Sequence, residues 1–152
     1  MIDVLEKLPL LHGLKRARLS ELALAGTVRE YKAGDVVVEA GEYAESVHVI
    51  VAGQAGVNGR PQAATLGPGD YFGEMALLDG GVRSATVFAV RSLRTLEVPR
   101  HAFVALLKQE PSIAMVLTAE LSWRVRRLEA ERRRPRLVEP APSGWPIPGL
   151  AS

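Results

Sequence analysis

From Thr27 to Val98 the chain is cut into short β-type runs, TVREYK, VVVEA, SVHVIVA, QAGV, QAATL, SATVFAVR and LRTLEV, recurring every eight to twelve residues. Turn residues divide them: AGD at 33–35, AGEYAE at 40–45, AGQ at 52–54, NG at 58–59 and GPGD at 67–70. Short strands with this spacing argue for a barrel or sandwich. Asn58-Gly59 reads as a two-residue hairpin, since both residue types tolerate positive φ.

Helical texture flanks this block on both sides. Ile2, Leu5, Leu8, Leu19 and Leu22 fall at helical spacing, with Pro9 and Gly13 as breakers, which predicts two or three short helices before Thr27. Arg100 to Gln109 carries Ala102, Phe103, Leu106 and Leu107 on one side, and a second helix starts at Pro111, where the missing N–H costs nothing. Ile113, Leu117, Leu121, Val125 and Leu128 continue it as an apolar stripe to about Arg134. The expected domain is therefore 1–134. Residues 135–152 hold five of the ten prolines and no periodicity, and they read as an extended or disordered tail in which Trp145 is the residue able to dock.

Several function classes are unsupported. No run approaches the ~18 apolar residues of a membrane span, and the N-terminus, with Asp3 and Glu6, lacks the basic start and apolar run of a secretory signal. The expected compartment is the cytoplasm. Zero cysteines exclude disulfides and thiolate metal sites, and His12, His48 and His101 form no ligand motif, each reading as a surface or half-buried residue. Residues 124–136 hold seven arginines against Glu129 and Glu131, while the whole chain is only +2, so the basic charge belongs to one end. The glycines of GPGDYFG, at 67, 69 and 73, miss the dinucleotide spacing. With no phosphate loop, nucleophile elbow or zinc helix either, neither a catalytic nor a metal site is expected.

One stretch remains to be explained, YFGEMALLDGGVRSAT at 71–86. If Glu74 to Leu78 form a helical turn, the N–H groups of Glu74, Met75 and Ala76 converge on one spot and the dipole favours an anion there. Gly73 admits a ligand close to the backbone. Arg83 returns through Asp79-Gly80-Gly81 with a guanidinium fork suited to phosphate oxygens, and Ser84 adds a hydroxyl. Glu74 has the wrong charge for an anion unless the ligand also offers hydroxyl donors, as a ribose does. A nucleotide monophosphate offers both. The competing reading is a plain salt bridge between Glu74 and Arg83 that holds the turn.

The segment FGEMALLDGGVRSAT resembles the phosphate-binding cassette of the cyclic-nucleotide-binding domain family, with Phe72, Gly73, Glu74, Ala76, Leu77, Arg83, Ala85 and Thr86 in register. YKAGDVVVEAGEYAESVHVIVAGQAGV resembles the family's barrel entry, with Gly34, Gly41 and Gly53 at its turns. The resemblance covers roughly 5–128. It implies a mainly β fold, an eight-stranded jelly-roll β-barrel with N-terminal helices and two C-terminal helices. It further implies that Glu74 accepts the ribose 2′-hydroxyl, that Arg83, Ser84 and the short helix hold the cyclic phosphate, and that Gly73 lies against the ribose. Leu66 and Met75 would line the pocket, with Thr86 beside it. In relatives the last helix closes over the base; Arg124 is the candidate lid residue, with Trp123 as an alternative cap. Ser84, where guanine-selective members often carry threonine, favours cyclic AMP and leaves cyclic GMP open, while Leu128 and Glu129 stand where hydroxyl groups toward adenine would be expected.

Only 18 residues follow Arg134, against the ~70 of the helix-turn-helix domain that activators of this family carry, so no DNA reader is expected. The leading expectation is a stand-alone cyclic-nucleotide sensor without a further cofactor, whose last helix moves on binding and alters the surface seen by an unidentified protein partner. The apolar stripe would also suit a homodimer. The alternatives are an adaptor, structural or nucleic-acid-associated, that uses the Arg-rich helix and tail with a vestigial ligand site, or a regulatory fragment of a longer protein.

Overall fold

A computed structural model describes residues 1–58 and 64–133. The chain divides into two compact units, 1–117 and 118–152, and the first carries both sheets. It opens with α1 (Ile2–Glu6), a single 3-10 turn at Pro9–Leu11 and α2 (Arg16–Ala25), so the expected short helices are present. Eight strands follow: β1 (Thr27–Tyr31), β2 (Val36–Val38), β3 (Ser46–Ala52), β4 (Ala55–Val57), β5 (Ala64–Leu66), β6 (Tyr71–Phe72), β7 (Val87–Ala89) and β8 (Leu93–Pro99). Between β6 and β7 lies α3 (Glu74–Asp79); α4 (Arg100–Gln109) and α5 (Pro111–Arg133) follow β8. The tail and Trp145 lie outside the described residues.

The strands form two four-stranded antiparallel sheets, ordered β1-β8-β3-β6 and β2-β7-β4-β5. This is the double-sheet form of a jelly roll, in which the sheets face each other instead of closing through one continuous ladder among the described residues. Between them sits a core of Val38, Ile50, Ala55, Val57, Phe72, Val87, Ala89 and Leu93, joined by Tyr31, Val37, Leu66 and Ala85. Burial of each large member contributes roughly 1.5–3 kcal/mol. The β4–β5 ladder ends at the pair Val57↔Ala64; Gly59 of the expected hairpin turn lies outside the described residues.

A second apolar layer covers the other face of the first sheet. Val47, Val49 and Val98 point away from the inter-sheet core and line one pocket with Leu8, Leu10, Leu11, Leu22, Phe103 and Leu106 of the helices. Strand β3 is therefore covered on both sides, and its first five residues, Ser46 to Ile50, are all buried. A strand so placed loses the polar-out alternation of a half-exposed one. His48 is a consequence: it is 3% exposed, a correction to the surface or half-buried position expected of it, whereas His12 and His101 are exposed. The apolar stripe of α5 is buried at Ile113 and Leu117 and exposed at Val125 and Leu128.

Candidate functional site

The site is built where the β3–β6 ladder stops. The two strands pair at Val49↔Tyr71 and His48↔Phe72, and one residue further on Gly73 turns away with φ +94° into α3. An L side chain there would be strained, and its Cβ would lie 2.2 Å from Nη1 of Arg83. Glu74 opens the helix and is 3% exposed; Ala76 and Leu77 bury their side chains and seat α3, leaving Met75 and Leu78 outward. No side chain caps the N-terminus of α3.

The return segment is pinned by backbone. The Gly41 N–H donates to the Arg83 carbonyl at 3.0 Å, the Arg83 N–H donates to the Glu42 carbonyl at 2.8 Å, and Tyr43 bridges Val82. The Arg83 side chain, 7% exposed, then enters the gap left by the ladder. Its Nη1 donates to the Gly73 carbonyl at 3.2 Å and its Nη2 to the Ser46 carbonyl at 2.8 Å. The guanidinium thus bridges β3 and the chain leaving β6 in place of the next backbone pair. Burial pushes its pKa below the ordinary arginine range, opposed by the carboxylates of Glu97, Glu42 and Glu74. An arginine stays charged in a protein, and neutral carbonyls orient this charge without cancelling it.

Of the residues singled out in the sequence, Gly73, Glu74, Met75, Ala76 and Arg83 come together around α3, and Ser84 follows Arg83 as an exposed hydroxyl. Thr86 is half-buried and its Oγ1 accepts the Ala40 N–H at 3.0 Å, which leaves the hydroxyl hydrogen to donate. Leu66, on β5, packs on the inter-sheet core. Arg124 belongs to the second unit, within α5.

Sequence reasoning missed Ser46 and His48. Ser46 acts through its carbonyl, which has no residue signature; His48 had one, a polar ring inside the apolar run SVHVIVA. Ser46 Oγ lies 3.4 Å from His48 Nε2, and His48 Nδ1 lies 3.3 Å from Thr95 Oγ1. The ring stacks on Phe72 with centroids 5.0 Å apart and planes 4° from parallel. Burial pushes the His48 pKa down to about 4, countered by Glu97 and reinforced by Arg83 and Arg29. Among the described residues no group of side chains could hold a metal ion, and no single helix is long and apolar enough to cross a membrane.

The family model of the cyclic nucleotide-binding domain matches residues 28–110. The cyclic AMP receptor protein of Thermus thermophilus is 34% identical over 130 residues, covering 81% of this chain and 60% of that protein. A cAMP-dependent protein kinase regulatory subunit of Schizosaccharomyces pombe is 36% identical over 107 residues, covering 69% of this chain and 26% of that protein. This chain therefore spans 60% or less of the length of these two relatives. The solved catabolite activator protein of Thermus thermophilus superposes with a TM-score of 0.72 at 32% identity, over 81% of this chain and 61% of that one.

Proposed function

Because the chain belongs to the cyclic-nucleotide-binding domain family, we propose that it is a cytoplasmic regulatory module, not an enzyme, that binds a cyclic nucleotide at α3 and prefers cyclic AMP to cyclic GMP. Arg83, Ser84 and the N–H groups of Glu74, Met75 and Ala76 take the cyclic phosphate. Glu74 accepts a ribose hydroxyl, Gly73 lets the sugar approach, Leu66 and Thr86 border the ligand, and Arg124 closes over the base. The observation that carries this reading is Arg83, a buried guanidinium oriented by two carbonyls beside the start of α3, which no side chain caps. Ser84, and the names of the relatives just given, support cyclic AMP. Binding repositions α5 and thereby changes what a protein partner or a second copy of the chain meets.

Calorimetric titration with cyclic AMP and cyclic GMP tests this on wild type and Arg83→Ala. Wild type is expected to bind cyclic AMP more tightly, and the variant to lose about 2–5 kcal/mol of binding free energy, the cost of removing one partner of a buried charge contact. Absence of heat from ligand-free wild-type protein with both nucleotides would sink the proposal.

A further inference from the structure

Arg83 rests on two carbonyls, and His48 touches the neighbourhood of each. On one side, its Nε2 is 3.4 Å from the hydroxyl of Ser46, the residue whose carbonyl accepts from Arg83 Nη2. On the other side, its ring lies flat on Phe72, the residue that hands the chain to Gly73, whose carbonyl accepts from Nη1. The second ring nitrogen, Nδ1, is held at 3.3 Å by Thr95 of β8, so the ring is fixed at both ends as well as on its face.

We propose that His48 is a positioning residue for Arg83, holding the two carbonyls at the separation that keeps the guanidinium aimed at an anionic ligand. The inference rests on the cyclic-nucleotide reading of the site and adds a residue behind it. Packing alone does not account for an imidazole here. A phenylalanine would fill the stack on Phe72, whereas two buried ring nitrogens cost free energy unless each finds a partner. Both do, and one of those partners is the strand residue that carries the arginine's acceptor. The charged groups around the ring come from separate elements: Glu97 opposite it on β8, Arg29 from β1 and Arg83 from the segment after α3. Arg83 is thus supported by a ring that it also senses electrostatically.

The test uses the full chain carrying His48→Phe, which keeps the stack and removes both nitrogen contacts, and Ser46→Ala, which keeps the carbonyl and removes the hydroxyl. The first readout needs no ligand: the rotation rate of the Arg83 guanidinium by nitrogen-15 NMR. Rotation is expected to be measurably faster in both variants than in wild type. The second is calorimetric affinity for cyclic AMP, expected to fall about fivefold in each variant, the equivalent of one net hydrogen bond. Should His48→Phe fail to fold, Ser46→Ala carries both readouts. Unchanged rotation and unchanged affinity in the folded variants overturn the inference while leaving the cyclic-nucleotide reading intact. Faster rotation in protein whose wild type binds neither cyclic nucleotide sustains the positioning role and overturns the ligand reading instead.

Discussion

Strand β3 presents two different surfaces from one short sequence. Val47 and Val49 meet the helices in an all-apolar layer, while Ser46 and His48, on the opposite face, meet Thr95, Glu97 and the arginine of the site. Both faces are buried, yet only the second requires each polar atom to be matched. Apolar packing tolerates exchange of one side chain for another of similar volume, whereas a matched polar group loses most of its value when its partner moves. The two faces therefore differ in what they demand: the helix face needs only apolar packing, whereas the barrel face adds to the inter-sheet core around Ile50 a set of matched polar contacts that hold geometry.

The largest way to break that difference is Leu96→Ala. Leu96 is 1% exposed on β8 and opposite Val49, on the helix face. Truncation is expected to cost about 2–5 kcal/mol of stability by urea denaturation, with the affinity of the remaining folded protein for cyclic AMP unchanged. A large loss of affinity would show that the two faces are coupled.

The second test sharpens the barrel side through pH. The His48 pKa is about 4 when folded, against 6.5 ordinarily. Between those values the unfolded chain binds the extra proton, so this contribution is complete above the ordinary value and is lost as pH falls from there through about 4. A shift of that size corresponds to about 3 kcal/mol at most. Denaturation series across this window should show stability rising with pH, and His48→Phe should flatten that part of the slope; an equal slope in the variant would remove the ring from the account.

The smallest expected effect on folding comes from Gly73→Ala. A non-glycine residue in the left-handed region costs about 1–2 kcal/mol, but the added Cβ also collides with Arg83 Nη1. Stability by denaturation should fall modestly while calorimetric affinity for cyclic AMP falls at least tenfold. Proportionate losses would deny the barrel face its special sensitivity.

How much of this was readable beforehand follows the same physics. Helix α4 was legible because Ala102, Phe103, Leu106 and Leu107 recur at helical spacing and Pro111 opens the next helix, and the long strands β1, β3 and β8 gave unbroken β-type runs. Strand β6 was not, since two residues carry no periodicity. The run SATVFAVR overstated β7, which holds only Val87–Ala89. Beyond the ends of β7 the run makes single bonds to turn residues: the Thr86 carbonyl accepts from the Asn58 N–H, and the Val90 N–H donates to the Gln54 carbonyl. In the site, glycines, an acid and an arginine at fixed spacing were visible as residue types. The carbonyls of Ser46 and Gly73 were not, because every residue has one.

Helix α3 is bracketed by Gly73 at φ +94° and Gly80 at φ +69°. A saturation library across 73–80 should therefore return an uneven landscape: two troughs at the ends where almost every replacement is depleted, and a more permissive stretch at the outward-facing Met75 and Leu78. Variation among descendants of this gene would collect on the outer surface of the helix, while its two joints stayed frozen.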